Sequence, residues 1–307
     1  MIPILDWRLF AGDSDPQRFV NDLGLACRDS GFFLLRNHGI DRDLVDQVFA
    51  SADSFFELTE AEKRTLSIYS NPHNRGWAKL GSEKLDETGT LLDRKEAFNI
   101  GLDLPAHDPR VRAREPFRGV NLWPEIPGFR DVMLRYFDSA MTLGVTLHRA
   151  IAADLGLPED FFRDKFDAPM ATLRLLHYPP GTGTRDEIGA GNHTDYGSIT
   201  ILKTDDEPGL QVKTRDGAWL DVPNDPDALV INIGDCLMRW SNDIYVSTPH
   251  RVLPPKRRRR SIAFFLDPNP DALIEALPGT GAARYPSVTG AEYLRSRLSA
   301  TYMPTHG

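Results

Sequence analysis

Cysteine is scarce in this chain: only Cys27 and Cys236 occur in 307 residues. Both lie in apolar-rich segments, which argues against a disulfide framework and for reduced core thiols in a reducing, cytoplasmic compartment. Long hydrophobic runs are missing too. No stretch of 18 apolar residues exists, so a transmembrane helix is not expected. The opening MIPILDW has acidic Asp6 and no basic segment before an apolar one, so it does not read as a secretion signal. Basic charge is also short, with 36 Lys and Arg against 44 Asp and Glu and a net charge of −8. Duplex nucleic-acid binders ordinarily present a basic face. The one basic run here is Lys256 to Arg260, and nucleic acid is not expected as a partner.

What is present is ordinary globular material, 41% hydrophobic and 26% charged, in a length that one large domain can use. The first half reads as helical. Asp15-Pro16 is a cap and first turn for FVNDLGLACRDS, where Phe19, Leu23 and Ala26 recur at helical spacing. Asp41 caps a second helix with Leu44, Val48, Ala52 and Phe55 on one stripe, and residues 128–157 form a long amphipathic helix ending before Pro158. Residues 70–128 are loop-rich, with the composition of an ordered functional loop. After about residue 168 the pattern changes to short apolar or alternating runs: ATLRLLHY, SITILKT, GLQVKT, AWLDV, ALVINI, YVSTPHRVL and RSIAFFL. Turn signals separate them. The expected fold class is α+β: a double-stranded β-helix (jelly-roll) core with an α-rich N-terminal region packed around it. Residues 1–307 are read as a single domain, with an α-rich region at 1–167, the core at 168–270 and a C-terminal segment at 271–307.

Within the core, His193-Thr194-Asp195 would send two ligating groups to one face of an extended segment. The pair alone is weak, because with 8 His and 44 acidic residues about one such match arises by chance. His250 adds a second imidazole. Two imidazoles and one carboxylate form the facial triad that suits ferrous iron, with the opposite face open for substrate and O2. The same set could hold catalytic zinc. Arg259-Arg260-Ser261 then opens the apolar strand IAFFL. By alternation Arg259 and Ser261 share one face, and Ile262, Phe264 and Leu266 the other. A guanidinium facing a barrel interior needs an anionic partner, and the distal carboxylate of 2-oxoglutarate is one.

With these residues in place the chain resembles the isopenicillin N synthase-like family of 2-oxoglutarate- and Fe(II)-dependent oxygenases. The resemblance also covers IPILDW, GFFLLRNHGI, KEAFNIG, HYPP, NHTDYGSITIL, VINIGDCLMRWSND, STPHRVL and RRSIAFFLDPN. It implies iron on His193, Asp195 and His250. It also implies 2-oxoglutarate as co-substrate on Arg259 and Ser261, with the Tyr178 hydroxyl a further contact. Many members carry Asn where this chain has Leu176. Arg174 resembles an arginine of the ethylene-forming branch, beside the plainer reading of an ion pair. The implied reaction consumes O2 and 2-oxoglutarate, releases succinate and CO2, and hydroxylates or desaturates a C–H bond of a small molecule; no protein acid or base is nominated. Trp77, Phe98, Asn99, Arg174 and Trp240 are candidates for lining the substrate site, with Arg75 or Lys79 available to an anionic substrate. Glu83, Glu87 and Glu96 are read as solvated or ion-paired. Rival readings are a same-fold Fe(II) oxidase that needs no 2-oxoglutarate, an ethylene-forming type of 2-oxoglutarate fragmentation, and a non-catalytic jelly-roll binding protein.

Overall fold

Helix-period stripes pack against one another in the N-terminal half. The computed structural model describes residues 1–301 other than Asp13, Glu87 and Arg185. It contains β1 (Ile4–Asp6), α1 (Arg8–Ala11), α2 (Pro16–Asp29), β2 (Phe32–Arg36), α3 (Arg42–Phe56), α4 (Glu60–Arg64), β3 (Gly76–Ala78), β4 (Glu96–Gly101), α5 (Pro109–Arg112) and α6 (Phe129–Asp154). Asp15 accepts from the Arg18 amide (3.2 Å) with Pro16 in the first turn of α2, and Asp41 accepts from the Asp43 amide (3.0 Å) at the start of α3. Each cap satisfies an amide that the helix itself leaves unpaired. The buried stripe of α6 runs through Met133, Phe137, Ala140, Gly144, Leu147 and Ile151. Gly144 lets the helix close on the sheet: a Cβ there would lie 2.7 Å from Leu266 Cδ2.

The second half supplies β5 (Thr172–Tyr178), β6 (Ala190–His193), β7 (Ile199–Thr204), β8 (Leu210–Lys213), β9 (Trp219–Asp221), β10 (Ala228–Ile233), α7 (Asp235–Trp240), β11 (His250–Val252), β12 (Arg259–Leu266) and, near the C-terminus, α8 (Gly290–Thr301). Eight strands form a sheet in the order β1-β2-β10-β7-β12-β5-β4-β3, and four form a second sheet, β6-β11-β8-β9. Pairing is antiparallel except between β1 and β2. The expected jelly-roll core with helices packed around it is observed.

Strand alternation gives the large sheet two chemically different faces. Ile262, Phe264 and Leu266 join Leu173, Leu175, Phe98, Ile199, Ile201, Ile231 and Ile233 in the core shared with α2, α3 and α6. Each such side chain contributes about 1.5–3 kcal/mol on burial, so this face carries most of the stability. The other face turns toward the small sheet. Here register aligns one row of Asn99, Arg174, Ala263 and Leu202, and the next of Thr172, Phe265, Thr200, Asn232 and Phe32. Asn99, Arg174, Thr172, Thr200 and Asn232 are the polar members of these rows, and the site lies against them.

Candidate metal centre and co-substrate cavity

β6 and β11 are neighbours in the small sheet, and their register puts His250 directly opposite His193. The two rings lie 4.3 Å apart between centroids. Asp195 does not continue β6; the strand ends at His193. The loop is held instead by the first amides of α7. The Asp235 amide donates to the Asp195 carbonyl (2.7 Å), and the Cys236 amide donates to the carbonyls of Tyr196 (3.2 Å) and Gly197 (3.1 Å). Such N-terminal amides have no partner inside their own helix and are free to fix a loop. Gly234 permits the approach, since a Cβ there would sit 2.2 Å from the Gly197 carbonyl oxygen.

The result is a cluster in which one ligand atom each from His193, Asp195 and His250 lies within 4.8 Å of the others. Asp195 Oδ1 is 3.8 Å from His193 Nε2 and 3.6 Å from His250 Nε2. Both imidazoles are oriented from behind: Nδ1 of His193 donates to the Gly191 carbonyl (2.7 Å) and Nδ1 of His250 to the Thr248 carbonyl (3.1 Å). Each Nε2 therefore faces the centre, which is the outer hydrogen bonding that metal-binding histidines use. Phe32 packs edge-on to His250 at 5.3 Å. The other carboxylate oxygen of Asp195 accepts from Thr200 Oγ1 (2.5 Å) and Asn232 Nδ2 (2.8 Å), from the row described above.

Electrostatics agree with a cation site. Burial and the neighbouring His250 push His193 down to about 4, so its ring is neutral and its lone pair available. Burial opposes ionisation of Asp195, but His250, His193 and Thr200 outweigh it and hold the carboxyl below its ordinary range. Burial likewise opposes charge on His250, and the Asp195 carboxylate raises it nonetheless. A divalent cation at this point would compensate the Asp195 carboxylate in the same way.

The centre opens into a cavity of about 140 Å³. Arg259, 2% exposed, lines it, as do Ser261 and Tyr178. Arg259 stands opposite Tyr178 in the β12–β5 register, and its guanidinium lies over the tyrosine ring at 5.0 Å. Its Nε and Nη1 are buried with no hydrogen-bond partner among the described residues. A cation–π contact supplies about 2 kcal/mol, less than the several kcal/mol that desolvating a guanidinium costs. The difference calls for an anion in the cavity. A dicarboxylate with one end on Arg259 and the other toward the triad fits this donor set, and so does ferrous iron on two imidazoles and a carboxylate. Leu176 also lines the cavity, so it offers no polar contact where Asn is common in the resembling family.

The five substrate-lining candidates divide. Asn99 and Arg174 line the cavity. Trp77, Phe98 and Trp240 do not, which corrects the expectation. Phe98 alternates with Asn99 on β4 and so points to the helical core, 4.4 Å from Phe55. Trp77, its register partner, points the same way and donates to Glu96 Oε2 (2.8 Å). Trp240 is buried beside Phe162 and Phe166 and donates to the Leu273 carbonyl. Nor do the proposed cations reach the cavity: Arg75 is buried against backbone carbonyls, and Lys79 pairs with Glu60. Glu96 is ion-paired with Lys63, Glu83 with Lys95 and Arg174, and Glu87 lies outside the described residues.

Several cavity residues escaped sequence reading. Asn232 carried a signal, a polar residue inside the apolar run ALVINI, and Thr200 alternates with Ile199 and Ile201. Asn74, Lys95 and Asp267 had none, because loops and strands distant in sequence bring them in. Burial and the charge of Asp195 lift Asp267 to about 7. Thr200→Val and Asn232→Leu are each expected to weaken Fe(II) binding about 10–100-fold by releasing Asp195. Titration of the apo-protein with Fe(II) under argon measures this, and unchanged affinity in both variants would remove their role.

Residues 2–126 match the family model described as the N-terminal region of non-haem dioxygenase in morphine synthesis, and residues 169–268 match that of the 2OG-Fe(II) oxygenase superfamily. A 2-oxoglutarate-dependent dioxygenase of Didymella fabae is 34% identical over 98% of this chain and 96% of its own. A homoarginine-6-hydroxylase of Oryza sativa subsp. japonica is 33% identical over 98% of both. Among solved structures, a full-length Neurospora crassa protein in complex with alpha-KG and thymine superposes with a TM-score of 0.87, at 33% identity over 97% of this chain and 96% of that one.

Proposed function

We propose, for a chain that belongs to the 2-oxoglutarate- and Fe(II)-dependent oxygenase superfamily, that His193, Asp195 and His250 hold the iron and that Arg259, Ser261 and Tyr178 hold the distal carboxylate of 2-oxoglutarate. The enzyme is a dioxygenase that uses Fe(II), 2-oxoglutarate and O2. When bound, the iron supplies the redox chemistry by which O2 and 2-oxoglutarate become succinate and CO2 while a C–H bond of a small molecule is oxidised. The chain's own residues bind and orient. Gly191 and Thr248 carbonyls aim the two imidazoles, Thr200 and Asn232 hold the carboxylate, and Arg259 fixes one end of the co-substrate. The two sheets keep bulk water from the centre, and both iron-binding histidines are largely buried.

The observation that carries this reading is the pair of unpartnered Arg259 nitrogens in the same cavity as the triad. A zinc hydrolase would have no use for that cation; a same-fold oxidase would have to pair it with its own anionic substrate, and 2-oxoglutarate turnover separates the two. No helix among the described residues is long and apolar enough to cross a membrane. With both thiols buried and free, we place the enzyme in the cytoplasm, acting on a free small molecule rather than on nucleic acid, and residues 1–307 working as one oxygenase unit.

Chelation tests the assignment. EDTA-treated protein should release no succinate, and Fe(II) should restore release whereas Zn(II) should not. Anaerobic Fe(II) with 2-oxoglutarate should develop a weak visible charge-transfer band; its absence would overturn the reading.

A further inference from the structure

Resting on that reading of the cavity, we propose that Asn99 and Arg174 form its substrate-recognising edge. The edge selects a neutral ligand carrying N–H and C=O side by side, a ring amide or imide. The two residues are directly opposed across β4 and β5, and both line the cavity. Asn99 is 1% exposed. Its Nδ2 donates to Asn74 Oδ1 (3.1 Å), which orients the amide, and its Oδ1 is buried with no hydrogen-bond partner among the described residues. A buried acceptor of this kind calls for a donor from a ligand. Beside it stands the guanidinium of Arg174, held by Glu83, whose several N–H groups let it serve a ligand acceptor as well.

Charge narrows the class. Glu83 pairs with both Arg174 and Lys95, and Lys95 also pairs with Asp93, so two cations already face two carboxylates. Burial opposes the charge of Glu83, but Arg174 and Lys95 keep its carboxyl below the ordinary range, so the compensation is in place. Arg174 thus needs no ligand anion. A substrate carboxylate would turn lone pairs toward Asn99 Oδ1, and an ammonium would offer Arg174 no acceptor. Geometry narrows it further. An open-chain secondary amide is trans and places N–H and C=O on opposite edges. A ring holds the amide cis and puts both on one edge, matching one acceptor and one donor on adjacent strands. The nearby cavity walls, Tyr196, Phe265 and Leu294, are apolar or aromatic and suit the faces of a small ring.

The experiment uses wild-type protein loaded anaerobically with Fe(II) and 2-oxoglutarate and titrated calorimetrically with 2-pyridone and glutarimide, their N-methyl counterparts and benzoate. The N–H probes should bind at least about tenfold tighter than their N-methyl counterparts and tighter than benzoate. Asn99→Ala should erase the N–H preference, and Asn99→Asp, which keeps an acceptor oxygen, should retain part of it. Equal affinity within each N–H and N-methyl pair, tighter binding of benzoate, or no binding of any probe would overturn the inference. The charge-transfer band in the same sample separates the two readings. If it is absent, the oxygenase assignment fails; if it is present without an N–H preference, only the substrate class fails.

Discussion

His193→Ala should lower Fe(II) affinity by more than about 100-fold, beyond what outer hydrogen-bond partners are worth, and should abolish succinate release. Among the described residues the side chain's hydrogen bond is to the Gly191 carbonyl, and the ring stands at the end of β6 rather than in the helical core. Its loss should therefore leave far-UV circular dichroism unchanged and the melting temperature within a few degrees. Asp195 is a poorer choice for this test. Its removal would also strand Thr200, Asn232 and the facing His250, mixing lost metal with lost stability. Metal content of the purified variant, set against wild type after equal Fe(II) loading, decides the matter. Stoichiometric iron in His193→Ala would remove the proposed centre.

Arg259→Met should have the opposite signature: co-substrate binding fails while the fold gains. Two charge-assisted hydrogen bonds lost from the carboxylate amount to about 3–6 kcal/mol, or roughly 10²–10⁴-fold in 2-oxoglutarate affinity. In the free protein, however, the guanidinium is buried over the Tyr178 ring, and two of its nitrogens have no hydrogen-bond partner among the described residues. Replacing an uncompensated buried charge with an apolar side chain of similar size relieves that cost. The melting temperature without 2-oxoglutarate should thus hold or rise, and the stabilisation that wild type gains from added 2-oxoglutarate should vanish. A variant that melts lower and still binds 2-oxoglutarate normally would show Arg259 to be a structural cation. Iron binding should persist, which separates this variant from His193→Ala.

The two experiments probe sites made from different parts of the sheet system. The triad belongs to the small sheet and the loop after β6, whereas Arg259 and Ser261 belong to β12 in the large sheet. Neither sheet alone has both. Their packing brings the metal centre and the guanidinium to one cavity, and the Thr200 and Asn232 row links them by reaching from the large sheet to Asp195.

Local sequence was sufficient where chemistry and spacing coincide. Asp15-Pro16 and Asp41 marked helix starts because caps act within three residues. The alternation in RRSIAFFL placed Arg259 on the face away from Ile262 and Phe264 because side chains on a strand change face at every residue. His193, Asp195 and His250 stood out as a candidate set because few residue types bind metal, and the fold brings the three together. Aromatic candidates fared worse. Trp77, Phe98 and Trp240 were drawn by composition toward the site, but a large apolar ring is satisfied by any core, and the helical face of the sheet claimed all three.

Short-range information thus covered the main helices, the run of strands after residue 168, the two faces of β12 and the residue types able to bind iron and a dicarboxylate. Those depend on period, caps and side-chain chemistry, which act over a few residues. It took the folded chain to set His250 across from His193, to bend the loop carrying Asp195 with α7 amides, and to stand Asn99 beside Arg174. Each of these joins segments far apart in the chain. Register is set by the burial of whole faces together, so no single stretch of residues encodes it.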